Sequence, residues 1–96
     1  RVDEATADVY VNGVALSPPV SGLQFQLLRL LHDAGGAMVS RDAVVDRLWP
    51  GAADGVTEDA VDALVRRLRS RIAEVDPDRN YVITVRGQGF RLETDP

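Results

Sequence analysis

The string Ala60-Val-Asp-Ala-Leu-Val-Arg-Arg-Leu-Arg-Ser-Arg-Ile72, followed by Tyr81-Val-Ile-Thr-Val-Arg-Gly-Gln-Gly-Phe-Arg-Leu92, decides how this chain folds. In the first string Val61, Leu64, Val65, Leu68 and Ile72 recur at the spacing of one helix face. The opposite side carries Asp59, Ala63, Arg66 and Ser70, with Arg67 and Arg69 on its flanks. In the second string Tyr81, Ile83 and Val85 alternate with Val82, Thr84 and Arg86, which is the period of a strand. Gly87-Gln88-Gly89 supplies a turn and Phe90-Arg-Leu92 returns. The expectation is a helix over about 57–75 with an arginine-rich outer face, leading into a β-hairpin over about 81–92. Thr57 stands at the N-cap position, Glu58 and Asp59 suit the first turn, and Pro77 ends the helical run. Asp62 and Arg66 have the spacing of an intrahelical ion pair worth a few tenths of a kcal/mol.

Upstream, Ser21 and Gln24 form a Ser-x-x-Gln capping box for an earlier helix. Leu23, Leu27, Leu28, Leu30 and Leu31 keep helical spacing, with Phe25 beside them, until Gly35-Gly36 stops the run. Met38-Val39 reads as a short extended link. Ser40 then caps a second helix with the apolar stripe Val44, Val45, Leu48 and Trp49. Pro50-Gly51 breaks it, and 50–55 is a loop. Near the start, Asp8-Val-Tyr-Val11 and Val14-Ala-Leu16 read as strands joined by Asn12-Gly13, and Pro18-Pro19 ends the second. The fold class is therefore α+β: N-terminal antiparallel strands, three helices and a C-terminal β-hairpin. His32 is expected on the surface and Trp49 in half-buried packing.

Ninety-six residues bound one domain with one core, expected over about 9–92. No apolar run approaches the length of a bilayer span, and no secretory signal is visible. The start at Arg1 fits an excised piece of a longer protein or an expression scar. The absence of cysteine removes disulfides, thiolate metal sites and thiol catalysis; the single histidine, His32, removes a multi-histidine site. Neither cofactor, metal nor enzymatic activity is expected.

The net charge of −4 runs against a simple nucleic-acid binder. Its distribution does not. All eleven basic residues are arginine, seven of them from Arg66 onward, and no acid lies between Ala63 and Ala73. An arginine-faced helix followed by a hairpin with arginine near its tip fits a duplex. The major groove admits one helix, and the arginine fork pairs with guanine or phosphate. A hairpin beside it reaches the minor groove, where arginine is favoured.

The same two strings resemble the OmpR/PhoB-type DNA-binding domain, a winged helix-turn-helix that serves as the output domain of many bacterial two-component response regulators. Its pattern runs roughly V-D-x-x-I-x-R-L-R-x-K-L, then I-x-T-V-R-G-x-G-Y-R. Val61, Asp62, Val65, Arg67, Leu68, Arg69 and Arg71 match the first part; Ile83, Thr84, Val85, Arg86, Gly87, Gly89, Phe90 and Arg91 match the second. Ser21, Gln24, Phe25, Leu27 and Leu28 resemble the family's entry to its first helix. Val39-Ser40-Arg41 and Leu48-Trp49 resemble the ends of its second.

The resemblance implies sequence-specific binding of double-stranded DNA in transcription regulation, by a cytoplasmic regulator within a phosphorelay. The implied DNA-binding residues are Arg66, Arg67, Arg69, Arg71, Ala63, Thr84 and Arg86, with Ser40 and Arg41 as phosphate contacts. The loop carrying Trp49, Pro50, Gly51 and Asp54 matches a segment that touches RNA polymerase in some members. A covalently linked regulatory domain outside this chain, pairing on half-sites and no membrane contact are implied as well. About 4 to 6 phosphate contacts would give a slope of log K on log salt of about −4 to −5.

Three positions depart from the pattern. Asp59 stands where arginine is frequent, so a carboxylate would repel phosphate or accept from cytosine N4. Leu64 replaces a frequent histidine, removing a polar backbone contact. Pro18-Pro19 and a longer loop after Trp49 alter the surroundings of the first and third helices. A second reading is a winged-helix module for protein contacts, with RNA polymerase or another regulatory domain as partner. The acidic balance and Asp59 favour it, and the arginine cluster opposes it.

Overall fold

The computed structural model describes residues 2–3, 8–11, 14–16, 22–51 and 55–93. Asn12-Gly13, Pro18-Pro19, Ser21, Asp54 and the tail 94–96 lie outside the described residues. Three strands open the chain, β1 (Val2–Asp3), β2 (Asp8–Val11) and β3 (Val14–Ala15), in an antiparallel sheet of order β1-β2-β3. β2 and β3 fall where alternation placed them. β1 was not expected, because two residues are too few to display a period.

Three helices follow: α1 (Gly22–Asp33), α2 (Arg41–Leu48) and α3 (Glu58–Ala73). α1 ends just before the Gly35-Gly36 pair. Ser40 Oγ accepts from the Ala43 amide at 3.1 Å, and Thr57 Oγ1 accepts from the Ala60 amide at 3.2 Å. Both residues thus satisfy a donor that the first turn of a helix leaves without an intrahelical partner.

The link at Met38-Val39 is more than a link. β4 (Val39–Ser40) pairs with β6 (Gly89–Leu92), which pairs in turn with β5 (Val82–Val85), giving a second antiparallel sheet of order β4-β6-β5. Gly89 makes this possible. A Cβ there would stand 2.0 Å from the Val39 carbonyl oxygen and 2.8 Å from Ser40 Cα. Both neighbours are backbone, so no rotamer change relieves the clash. In the turn that Gly89 adjoins, Gln88 N–H donates to the Val85 carbonyl at 2.9 Å, and Gly87 takes φ of 75°. That is the turn position where positive φ is required and glycine adopts it without strain.

The predicted apolar face of α3 is the buried one: Val61, Leu64, Val65, Leu68 and Ile72 meet Leu27 and Leu31 of α1, Val44 and Leu48 of α2, and Val82, Phe90 and Leu92 of the hairpin in one core. Each such side chain stabilises the fold by about 1.5–3 kcal/mol relative to leaving it in water. No polar side chain is buried among the described residues. Burying one face of α3 leaves its opposite face outward, beside the hairpin.

Candidate nucleic-acid interface

The outer face of α3 carries Arg66, Arg67, Ser70 and Asp59 exposed, and Ala63 half-buried. Arg66 and Arg67 have neither hydrogen-bond nor ion-pair partner among the described residues, and the same holds for Arg86 at the hairpin turn. These three guanidinium groups keep all their donors for a ligand.

The other arginines expected at the interface are engaged within the protein. Arg69 turns toward the hairpin. Its Nε donates to the Val82 carbonyl at 2.9 Å and its Nη2 to Thr84 Oγ1 at 2.5 Å. Burial lowers its pKa from the ordinary arginine value, and the Asp62 carboxylate opposes that shift. The group stays charged at any physiological pH.

Arg41, the first residue of α2, sends Nη2 to Asp62 Oδ1 at 2.7 Å, and its guanidinium carbon lies 5.0 Å from the centre of the Phe90 ring. Arg71 pairs with Glu74 one turn on, Nε to Oε2 at 3.3 Å. Ser40 uses its hydroxyl on the α2 cap, and Thr84 is exposed on β5.

Two expectations are corrected by these positions. Asp62 pairs with Arg41 across the helices and not with Arg66 along its own. An exposed pair four residues apart gains only a few tenths of a kcal/mol, whereas Arg41 also stacks on an aromatic ring. Arg86 does not share a strand face with Thr84, because pairing of Val85 with Gly89 ends β5 and leaves Arg86 in the turn. Leu64 is 5% exposed, within the core, on the apolar face where its spacing placed it.

The segment following α2 is described only at its start. Trp49 is half-buried against the core, and Pro50 and Gly51 are exposed. The passage from α3 to the hairpin is fixed by residues that sequence reasoning missed. The Tyr81 hydroxyl donates to Asp76 Oδ2 at 2.7 Å, and the Arg79 guanidinium lies 5.0 Å from the Tyr81 ring centre. Tyr81 carried a strand signal only, and nothing in the spacing marked Asp76 as its partner.

An open cleft of about 440 Å³ separates α2 from the start of α3, with Arg41, Asp46, Val45 and Val56 among its walls. Among the described residues no cluster of three or more side chains suits a metal ion, and no helix is long and apolar enough to cross a membrane.

Residues 17–92 match the sequence profile of a family described as transcriptional regulatory protein, C terminal. The chain is similar to the sensory transduction protein RegX3 of Mycolicibacterium smegmatis, with 36% identity over 93 residues, 97% of this chain and 40% of that protein. It therefore spans about two fifths of that relative's length. Among solved structures, the DNA-binding domain of Bacillus subtilis CssR superposes with a TM-score of 0.70 at 33% identity, covering 97% of this chain and 98% of the other. The Klebsiella pneumoniae RstA DNA-binding domain, in complex with the RstA box, superposes with a TM-score of 0.76 at 25% identity, covering 95% and 87%. The strands, three helices and terminal hairpin of this chain are the winged-helix arrangement of those domains.

Proposed function

The chain belongs to the family of C-terminal domains of transcriptional regulatory proteins, and from that premise we propose that α3 enters the major groove of double-stranded DNA while the β5–β6 wing reaches the adjacent minor groove. The domain is the sequence-specific DNA-binding part of a transcription regulator, in a family of regulators and not of enzymes. The observation that carries this reading is the set of exposed, unpartnered guanidinium groups of Arg66, Arg67 and Arg86 on one helix face and the neighbouring turn. They concentrate positive charge on one side of a chain whose net charge is −4.

Arg66 and Arg67 take base edges or phosphates, Ala63 meets a thymine methyl, and Arg86 reads the minor groove. Thr84 donates its hydroxyl proton to a phosphate, while Ser40, whose hydroxyl caps α2, and Arg71, paired with Glu74, are peripheral candidates. Arg41 and Arg69 hold these elements in place and make no direct contact with the duplex, since both guanidinium groups already have partners.

The relative's greater length supports a linked regulatory domain of the response-regulator kind, acting in the bacterial cytoplasm. Two copies on paired half-sites would supply the affinity that one small domain lacks. The loop of Trp49, Pro50, Gly51 and Asp54 is a candidate contact for RNA polymerase, supported by the exposure of Pro50 and Gly51.

Selection of bound duplexes from a random pool, followed by footprinting, tests the reading. A preferred sequence with protection of adjoining major and minor grooves is expected. Binding indifferent to sequence, or unchanged by combined Arg67→Ala and Arg86→Ala substitution, would overturn it. The exposed Asp59, two turns before Arg66 in α3, favours a protein-contact module as the second reading; absence of any gel shift on duplex at low salt would support that alternative.

A further inference from the structure

We propose that Arg69 is a positioning residue, which fixes the wing against α3 and aims the Thr84 hydroxyl proton at the DNA, and does not itself bind phosphate. This rests on the DNA-binding reading above. Arg69 sits on the flank of α3 that meets β5, where one planar group bonds two acceptors, the Val82 carbonyl at 2.9 Å and Thr84 Oγ1 at 2.5 Å. Bonding two points on the strand from one rigid fork restrains its rotation as well as its distance. The guanidinium is also half-buried, and Asp62 on the same helix opposes the cost of burying its charge.

The consequence for Thr84 follows from its inventory of one donor and two acceptor positions. With an oxygen lone pair occupied by Arg69, the hydroxyl keeps its proton for an outward acceptor. Because the incoming hydrogen bond is charge-assisted, it polarises the hydroxyl and strengthens the bond the proton then makes. Thr84 is exposed and two residues from Arg86, so the same restraint that aims it also fixes where the turn stands. The positive charge of Arg69 therefore reaches the duplex through a neutral hydroxyl.

A phosphate contact and a brace leave different signatures. The proteins compared are wild type, Arg69→Gln, Arg69→Lys, Arg86→Ala and the double variant Arg69→Gln with Arg86→Ala, each checked for folding by its thermal transition. Duplex binding is measured across a salt series, and amide exchange of 82–92 is measured without DNA. Arg69→Gln should weaken binding about tenfold, leave the salt slope unchanged and speed exchange in the wing. Once Arg86 is absent, the further loss from Arg69→Gln should shrink to about threefold, because the Thr84 hydroxyl is then the one wing contact left to misplace.

Arg69→Lys keeps the charge but not the fork, so it should behave like the glutamine variant. Rescue by lysine, a slope shallower by about 0.9 in Arg69→Gln, or additive losses in the double variant would overturn the proposal in favour of a direct phosphate contact. Unchanged wing exchange would also overturn it. Because exchange is read on the free protein, a failure of DNA binding itself remains distinguishable from a failure of the brace.

Discussion

At its root the wing is held by arginine; at its tip it offers arginine. The root, meaning the paired strands β5 and β6 up to the turn, gathers Phe90 in the core, Gly89 pressed on β4, Arg41 stacked on the Phe90 ring and Arg69 bonded to Val82 and Thr84. The tip, 86–88, is exposed, and its Arg86 has no partner among the described residues. One side chain serves both ends because its value depends on what surrounds the fork. Next to carbonyls, a carboxylate and a ring it becomes part of the scaffold, and in open solvent its five donors await a ligand. Counting arginines therefore overstates the interface, and locating their partners corrects the count.

Substitutions at the two ends should separate stability from affinity. Phe90→Ala empties the centre of the root and should cost about 3–5 kcal/mol in denaturant unfolding; a loss below about 1 kcal/mol would mean that the wing is not anchored through the core. Gly89→Ala forces β6 away from β4 and should cost about 1–3 kcal/mol, with exchange at 39–40 and 89–90 rising first. Arg86→Ala should weaken duplex binding by about 1–3 kcal/mol while the thermal midpoint stays at the wild-type value. A drop in both would place the tip within the scaffold.

The smallest effect concerns Asp62. Its pair with Arg41 is partly exposed, the side chains retaining 45% and 32% of their surface, so Asp62→Asn should cost no more than about 1 kcal/mol. A double-mutant cycle should find coupling of Asp62 with Arg41 and none with Arg66.

Much of the fold was legible because local rules govern it. Ser40 and Thr57 announce helix starts by residue type and place, and both cap as expected. The apolar spacing of Val61, Leu64, Val65, Leu68 and Ile72 names the buried face of α3 without reference to any other element. The site was legible only as a set of candidates. Arg69 lies on a flank of the helix wheel, and whether it faces a ligand or a strand depends on where β5 packs, which no period encodes. Asp62 offered a local partner in Arg66 and took a distant one in Arg41, 21 residues earlier, because tertiary packing brought a stacked, part-buried group within reach. The short β4 was visible as an extended link, but its pairing with β6 depends on Gly89 having no side chain.

A salt titration of duplex binding tests the central claim most directly. Three free guanidinium groups should give a slope of log K on log salt near about −3, with Arg66→Gln, Arg67→Gln and Arg86→Gln each flattening it by about 0.9 and Arg41→Gln leaving it unchanged. A slope that Arg41→Gln flattens as much as the others, or that none of the three outer substitutions moves, would contradict the division between arginines that build the domain and arginines that meet its ligand.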